Sequence, residues 1–152
     1  MKEVSETMIY ALADVGEMAR KVLATTSHFP ENSATIVFLE GDLGAGKTTF
    51  TQALARELAV KEPVISPTFI LKKSYAAEHP RFTTLIHIDA YRFEKEDEAK
   101  VLKLEHDTTD PHALIVIEWP YKMPYLKPHL LMELETIDEN TRRATLTYEK
   151  ES

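Results

Sequence analysis

The segment Gly-Asp-Leu-Gly-Ala-Gly-Lys-Thr, residues 41–48, decides the fold of this chain. It matches the pattern GxxxxGK[ST] in full and holds three of the four glycines in the 152-residue sequence. Glycine has no Cβ atom, so the main-chain N–H groups of such a loop can curl closely around an anion. The segment predicts a loop that binds the β-phosphate of a nucleotide.

The residues on both sides of this loop predict a strand before it and a helix after it. Thr35 to Leu39 is a short apolar run rich in β-branched and aromatic residues, which is typical of a buried strand. The segment from Lys47 to Ala59 predicts a helix with one apolar face. That face consists of Phe50, Ala53, Leu54 and Leu58. Strand, loop and helix therefore follow one another in the order that a phosphate-binding loop requires.

The rest of the chain alternates strand and helix patterns. Near the N-terminus, a strand is predicted over Thr7 to Leu12. A helix follows, and Asp14 with Glu17 forms the capping-box pattern at its start. The apolar face of this helix consists of Val15, Met18, Ala19, Val22 and Leu23. Further predicted strands are Val64-Ile65, Phe69 to Tyr75, Thr84 to Asp89, Ala113 to Glu118, Leu130 to Ile137 and Arg143 to Tyr148, the last two as a hairpin. An acidic helix, opened by Glu94 to Glu98, is predicted between the strand that ends at Asp89 and the strand that begins at Ala113.

These elements predict an α/β fold of the P-loop NTPase type, a three-layer αβα sandwich. Its central sheet is mostly parallel with antiparallel additions. At 152 residues the chain has the length of one domain, so we expect a single P-loop ATPase domain over residues 1–152.

Composition narrows the classes of function and partner. The chain has no cysteine, which excludes disulfides, cysteine-based zinc sites and thiol catalysis. No apolar run approaches the roughly 20 residues of a membrane span and no signal-peptide pattern opens the sequence, so we expect a cytoplasmic protein with no membrane partner. The net charge of −7 without a basic block predicts no strong direct binding of nucleic acid and favours protein partners.

The loop itself supplies the predicted nucleotide contacts. Lys47 places a positive charge at the β- and γ-phosphates, the Thr48 hydroxyl is positioned to ligate Mg²⁺, and Thr49 is a candidate contact for the α-phosphate. The main chain completes the cradle through Gly41, Asp42, Leu43, Gly44, Ala45 and Gly46. The expected ligands are ATP or ADP with Mg²⁺.

Two carboxylates end the two most apolar predicted strands, Asp89 and Glu118. In an open α/β sheet the ligand crevice lies at the carboxyl ends of the parallel strands, so both side chains are expected to face the phosphates. Asp89 suits an outer-sphere Mg²⁺ role and Glu118 suits orienting a water for hydrolysis, although the two roles can be exchanged, which makes either a candidate metal ligand.

Three further residues lie close to these positions in sequence. Thr68, in the turn Ser66-Pro67-Thr68-Phe69, is a candidate switch that senses the γ-phosphate, or simply part of a proline turn. Trp119, the single tryptophan, is expected either beside the nucleotide or at an edge of the core. His87 shares a face with Asp89, and we expect it to pack or to hydrogen-bond rather than to bind a metal.

Four sequence blocks together resemble the TsaE family of bacterial P-loop ATPases. They are Gly41 to Thr49, Ser66 to Phe69, His-x-Asp-x-Tyr-Arg at 87–92, and Ile-Glu-Trp-Pro at 117–120. The resemblance implies an ATPase that docks on TsaB-like and TsaD-like subunits and supports the threonylcarbamoyl modification of the adenosine next to the anticodon. It also implies that Lys47, Thr48 and Thr49 bind nucleotide and Mg²⁺, that Thr68 is the switch, and that Asp89 and Glu118 are the catalytic carboxylates.

Two other functions remain open from the sequence. A small-molecule kinase would need an arginine-bearing lid, and Arg142-Arg143, the paired arginines, lie in a predicted hairpin where a cross-strand charge role is favoured. A binding module that uses ATP occupancy as a signal without turnover is the second alternative. A GTPase is disfavoured because Asn32 and Asn140, the two asparagines, form no Asn-Lys-x-Asp motif.

Overall fold

A seven-stranded mixed sheet forms the centre of the protein, in the order β1-β7-β6-β2-β5-β4-β3. The computed structural model describes residues 2–42, 44–65, 72–90, 104–119 and 126–150. The strands are β1 (Lys2–Ala11), β2 (Thr35–Glu40), β3 (Lys72–Ala76), β4 (Thr84–Asp89), β5 (Ala113–Glu118), β6 (Leu130–Asp138) and β7 (Thr141–Lys150). Strands β6, β2, β5 and β4 run parallel, whereas β1, β7 and β3 pair antiparallel with their neighbours.

Helices cover both faces of this sheet. They are α1 (Val15–Thr25), α2 (Lys47–Glu57) and α3 (Leu104–Thr109), with short 3₁₀ turns at Leu12–Asp14 and Thr26–His28. Alternate residues of the strands enter two different apolar clusters: Val37 and Leu39 of β2 pack with α1 and α2, while Ile36 and Phe38 pack on the side of Leu104 in α3. The predicted three-layer α/β architecture is confirmed.

The central strands are apolar throughout because water reaches neither face. Every residue of β5 is buried, as is β2 up to Leu39. A strand buried on both faces gains from burying each side chain, which explains why continuous apolar runs predicted β2, β4 and β5 with nearly correct boundaries. The hairpin of β6 and β7 is confirmed as well, one residue longer than predicted at the end of β6 and two residues longer at each end of β7.

Several local predictions need correction. Val64-Ile65 is not a strand: the Gln52 side-chain amide donates a 2.8 Å hydrogen bond to the Val64 carbonyl, and Ile65 is 68% exposed. The loop helix ends at Glu57 because Ala59 turns to a left-handed φ of 56°. The N-terminal strand spans Lys2–Ala11, because ten of its residues pair with β7 at the edge of the sheet, where the first, polar residues give little sequence signal.

The predicted capping box is also wrong in its hydrogen bonds, although α1 does start directly after Asp14. The Asp14 side chain makes no capping hydrogen bond, because a 3₁₀ turn already leads into the helix and holds this residue at φ −102° and ψ 15° rather than in the extended conformation of a side-chain cap. Residues 66–71, which include most of the turn before β3, and Glu94 to Glu98 of the predicted acidic helix lie outside the described residues. None of the helices within the described ranges is long and apolar enough to cross a membrane.

Candidate functional site

Two glycines shape the loop between β2 and α2. A Cβ atom at Gly41 would lie 2.7 Å from the main-chain oxygen of Leu134 in β6, so a larger residue could not occupy this position without a shift of the backbone. Gly46, directly before α2, has a left-handed φ of 95°. The N-cap of α2 is Gly46, which has no side chain to cap the helix, so the N–H groups of the first turn can meet an anion at the positive end of the helix dipole.

Lys47 is the buried cation of the loop, with 6% of its surface exposed. Its ammonium group donates to the carbonyl oxygens of Gly41 and Asp42, the latter at 3.2 Å. Burial lowers the pKa of this amine, and the negative charges of Glu118, Asp89 and Asp42 act in the opposite direction. The ammonium group of Lys47 is therefore hydrogen-bonded to the loop and attracted by the negative charges of both strand-end carboxylates.

Asp89 and Glu118 are direct neighbours across the sheet. They occupy the same register position in the parallel pair β4–β5, and Leu39 of β2 is the next partner in that row. Adjacent strands are about 4.8 Å apart and paired residues of parallel strands project to the same face, so both carboxylates share the face that carries α2. The Ala90 N–H donates to the Glu118 carbonyl at 3.0 Å and ties the ends of the two strands. The predicted convergence of these two residues beside the loop is found.

His87 supplies a contact that the sequence did not reveal. Its Nε2 lies 2.5 Å from Oε2 of Glu118, with the histidine fully buried and Glu118 4% exposed. The expectation of a hydrogen-bonding histidine is confirmed, but its partner follows from the tertiary structure. The available signal was the spacing of two between His87 and Asp89, which puts both on the face of the sheet where Glu118 lies.

Trp119 lies at the mouth of the loop, and the ammonium nitrogen of Lys47 is 4.1 Å from the centroid of its ring. A cation at this distance over an indole face is attracted by the ring electrons. The indole also packs against the apolar cluster on the other side of the sheet, and the residue has a left-handed φ of 60°. Trp119 thus packs at an edge of the core, as one of its two expected positions has it, and its contact with a nucleotide stays a prediction.

An acidic cleft of about 410 Å³ opens beside the start of the loop. Its charged lining consists of Glu40, Asp42, Glu133 and Glu135, with Trp119 as its aromatic wall. Glu40 and Glu133 are register partners on β2 and β6, and burial together with the neighbouring Glu133 charge raises the pKa of Glu40. Negative charge here disfavours a phosphate chain, which leaves the amide side of the loop as the place for one.

Two further residues that the sequence indicated, Thr48 and Thr49, follow Lys47 at the start of α2. Thr48 is half-buried and Thr49 is exposed, both in the first turn of α2. The Ala45 N–H donates to the Asp42 carbonyl at 3.0 Å, which closes a turn inside the loop. Leu43 and Thr68, together with Tyr91, Arg92 and Pro120 of the motif blocks, lie outside the described residues.

The paired arginines at the start of β7 have separate environments. Arg143 lies 3.5 Å from the carboxylate of Glu135, its register partner on β6, which confirms the expected cross-strand charge role. Arg142 instead is buried against the loop, where its Nη2 donates to the Gly44 carbonyl at 3.4 Å. Nothing in the sequence distinguished these two neighbours, because their different orientation comes from the alternation of side chains along the strand.

Comparisons with known proteins found similar sequences and a similar structure. A family model described as "Threonylcarbamoyl adenosine biosynthesis protein TsaE" matches residues 10–145. A Nostoc protein named tRNA threonylcarbamoyladenosine biosynthesis protein TsaE is 38% identical over 76% of this chain and 71% of its own, and the Aquifex aeolicus protein of that name is 31% identical over 96% and 98%. The crystal structure of Bacillus subtilis YdiB is similar with a TM-score of 0.63 and 24% identity, over 97% of this chain and 86% of that one.

Proposed function

The chain belongs to the TsaE family and its role lies in tRNA threonylcarbamoyladenosine biosynthesis, and we propose that it acts there as a Mg²⁺-dependent ATPase. We propose further that it serves TsaB-like and TsaD-like subunits in the threonylcarbamoyl modification of the adenosine next to the anticodon. ATP is its substrate and ADP its product. Turnover is slow in the isolated chain and rises with the partners.

One observation carries the ATPase proposal: Asp89 and Glu118 are register partners beside β2, the strand that leads into the loop. Phosphoryl transfer to water needs a cradle for the phosphates, positive charge, and acidic groups for the metal shell and the attacking water. The loop amides and Lys47 provide the first two. The two strand ends bring both carboxylates to that place from different parts of the sequence.

The donor set of the site fits a nucleotide-bound magnesium ion. Within the described residues, no three acidic, histidine or cysteine side chains are arranged to hold a metal ion by themselves. Mg²⁺ commonly binds through one or two protein oxygens together with phosphate oxygens and water, for which Thr48 and Asp89 or Glu118 suffice. When bound, the ion would offset the negative charge of the β- and γ-phosphates.

Each residue then has a specific part in hydrolysis. Lys47 leaves the carbonyls of Gly41 and Asp42 for the phosphate oxygens, and Glu118 orients the water that attacks the γ-phosphorus. The bond from that phosphorus to the β,γ-bridging oxygen breaks, which yields ADP and phosphate, and the proton of the water passes to a nearby base or to phosphate. Asp89 would help to hold the Mg²⁺ ion through its bound water. The opposite division of roles between the two carboxylates remains a second version of this proposal.

A second function is favoured by the contacts of the two key side chains. Lys47 is bonded to the carbonyls of its own loop and one oxygen of Glu118 to His87, so Lys47 must exchange partners before it serves the reaction and Glu118 has one oxygen left to meet a water. That arrangement suits a module whose ATP occupancy, rather than turnover, signals to its partners. It predicts MgATP affinity with no phosphate release, even with the partners present.

The partner part of the proposal is supported by charge. A chain with a net charge of −7 gains little from contact with tRNA phosphates, which favours docking on protein subunits.

Reconstitution tests the proposal as a whole. TsaB-like and TsaD-like subunits, tRNA and threonylcarbamoyl-adenylate are combined with or without this chain and ATP, and modified tRNA and phosphate are both counted. The proposal expects multiple rounds of modification only when this chain and hydrolysable ATP are present. Full turnover with a non-hydrolysable ATP analogue would support the module instead, and multiple rounds without the chain would refute both functions.

A further inference from the structure

Arg142, the second residue of β7, is a buried cation outside the phosphate loop. Only 8% of its surface is exposed, although arginine is seldom buried to this extent without partners. Its Nη1 donates to the carbonyls of Asp138 at 2.6 Å and Thr141 at 3.0 Å, in the β6–β7 turn. Its Nη2 donates to the Gly44 carbonyl at 3.4 Å. The guanidinium group therefore joins two segments that are about 100 residues apart in sequence.

The arginine also packs along the loop. A Cβ atom at Gly46 would lie 3.6 Å from Nε and 4.0 Å from Cγ of Arg142, so the arginine side chain runs past this glycine. Tyr10 of β1, its register partner, is buried beside it and closes the opposite side. Within the described part of the chain, the hydrogen bonds of Arg142 all go to main-chain carbonyls.

The contacts of Arg142 hold a part of the loop that contains two glycines. Gly44 and Gly46 both have left-handed φ values, 84° and 95°, and glycine has the greatest main-chain freedom to lose when a loop is fixed. The peptide between Gly44 and Ala45 is held on one side by Arg142 and on the other by the Asp42 carbonyl, which accepts the Ala45 N–H. An anchor from a rigid hairpin lowers the entropy that the loop loses on binding its ligand.

We propose that Arg142 is a positioning residue that fixes the phosphate loop for binding through the Gly44 carbonyl, without touching the nucleotide. The proposal rests on the proposed nucleotide function. The contact is made to a carbonyl and so occupies none of the N–H groups of the loop, and the buried positive charge adds to the attraction of phosphates. The arginine acts on the triphosphate portion of any ligand, whatever base the ligand carries.

Two substitutions at this position and one next to it test the idea. Arg142→Gln removes the charge and the guanidinium fork, whereas Arg142→Lys keeps the charge. Arg143→Gln is the matched control, because that neighbouring side chain is exposed in part and pairs with Glu135 at the surface. Calorimetry measures binding of MgATP and of magnesium tripolyphosphate, at a temperature where thermal melts show each variant to be folded.

The expected result is a parallel loss of affinity for both ligands. Arg142→Gln should bind each about tenfold more weakly, because binding must then order the loop and a nearby positive charge is lost, with Arg142→Lys between this variant and wild type. A loss for ATP with unchanged tripolyphosphate affinity would show that the arginine meets the nucleoside and would overturn the proposal. Unchanged affinity for both, with only a lower melting temperature, would also overturn it.

A measurement without ligand separates this inference from the proposed function. In the free protein, Arg142→Gln should speed hydrogen exchange of the Ala45 amide by about tenfold or more relative to Arg143→Gln, because the loop loses its anchor. If wild-type protein binds no MgATP, the proposed function fails and this inference fails with it. If wild type binds and the Arg142 variants match it in affinity and exchange, the inference alone fails.

Discussion

His87 and Glu118 form a buried pair across β4 and β5, with Nε2 and Oε2 2.5 Å apart. Their strands are parallel neighbours, and Glu118 is the register partner of Asp89, two residues beyond His87 on the same face. One oxygen of the carboxylate is thereby engaged at the base of the site. The histidine fixes the direction in which the other oxygen points, so it governs how Glu118 could meet a water molecule.

Replacing His87 should therefore lower turnover without loss of nucleotide affinity. We expect His87→Phe to reduce kcat about tenfold to a hundredfold, the range typical when a group that orients a reactive ligand is lost, because Glu118 is left buried without its partner. His87→Gln, which keeps an N–H donor, should lose less. Steady-state kinetics measures kcat, and calorimetry measures the affinity for MgATP. Equal kcat for the two variants and wild type would contradict the positioning role.

Lys47→Ala should abolish hydrolysis. The substitution removes the buried positive charge that we propose binds the β- and γ-phosphates, and losses of a hundredfold to more than about a thousandfold are typical for one such group. Phosphate release is the measurement, with circular dichroism to verify folding. Lys61→Ala, which alters a lysine whose side chain is 85% exposed, is the control and should behave as wild type.

Glu118→Gln should retain MgATP affinity while its turnover falls by one to several orders of magnitude. The amide keeps the shape of the side chain but is a poor base and a weaker acceptor for the attacking water. Single-turnover hydrolysis isolates the chemical step, and Glu105→Gln on the exposed surface of α3 provides a matched control. A normal single-turnover rate in Glu118→Gln would remove this residue from the mechanism.

Trp119 fluorescence should report nucleotide binding. This residue is the single tryptophan, and the ammonium nitrogen of Lys47 lies 4.1 Å from its ring centroid. A nucleotide that draws Lys47 toward its phosphates moves that charge relative to the indole, so emission should shift as MgATP is added. Titration of wild type against Lys47→Ala tests the cause, and an unchanged spectrum at saturation would mean that Trp119 senses only the core.

The free energy of unfolding should fall as the pH drops through the range in which the histidines of an unfolded chain gain protons. Burial, with the Arg81 charge as a second cause, lowers the pKa of both His129 and His79. The folded state thus favours the neutral rings, and the unfolded chain binds more protons as pH drops through about 6.5, so the stabilisation present above that pH is lost below it. Each histidine adds at most about 1.4 kcal/mol per pH unit to the slope.

The test is urea unfolding of wild type and His129→Asn between neutral and mildly acidic pH. The Nδ1 of His129 accepts the Ile36 N–H at 3.0 Å, and an asparagine oxygen can accept it without titrating. The variant should show a shallower decline of the unfolding free energy. His106→Asn, on the exposed face of α3, should keep the wild-type slope, and identical slopes for all three proteins would contradict the assignment to His129.

Most of the fold could be read from local patterns. The loop glycines and the apolar runs of β2, β4 and β5 predicted the strand, loop and helix order, since strands buried on both faces must be apolar throughout. Edges were harder. Polar residues at the start of β1 pair with β7, and Val64 gives its carbonyl to a side chain instead of a strand, because partners distant in sequence decide both cases.

Local sequence was enough to place a glycine-rich loop before a helix and to end two strands in carboxylates, because both follow from the conformational freedom of glycine and from burial of apolar runs. Contacts between residues distant in sequence bring Glu118 against His87 and turn Arg142 rather than Arg143 to the loop. These contacts depend on strand register and on the alternation of side chains across a sheet. A shift of one residue would exchange the two arginines, and local sequence carries almost no information about that shift.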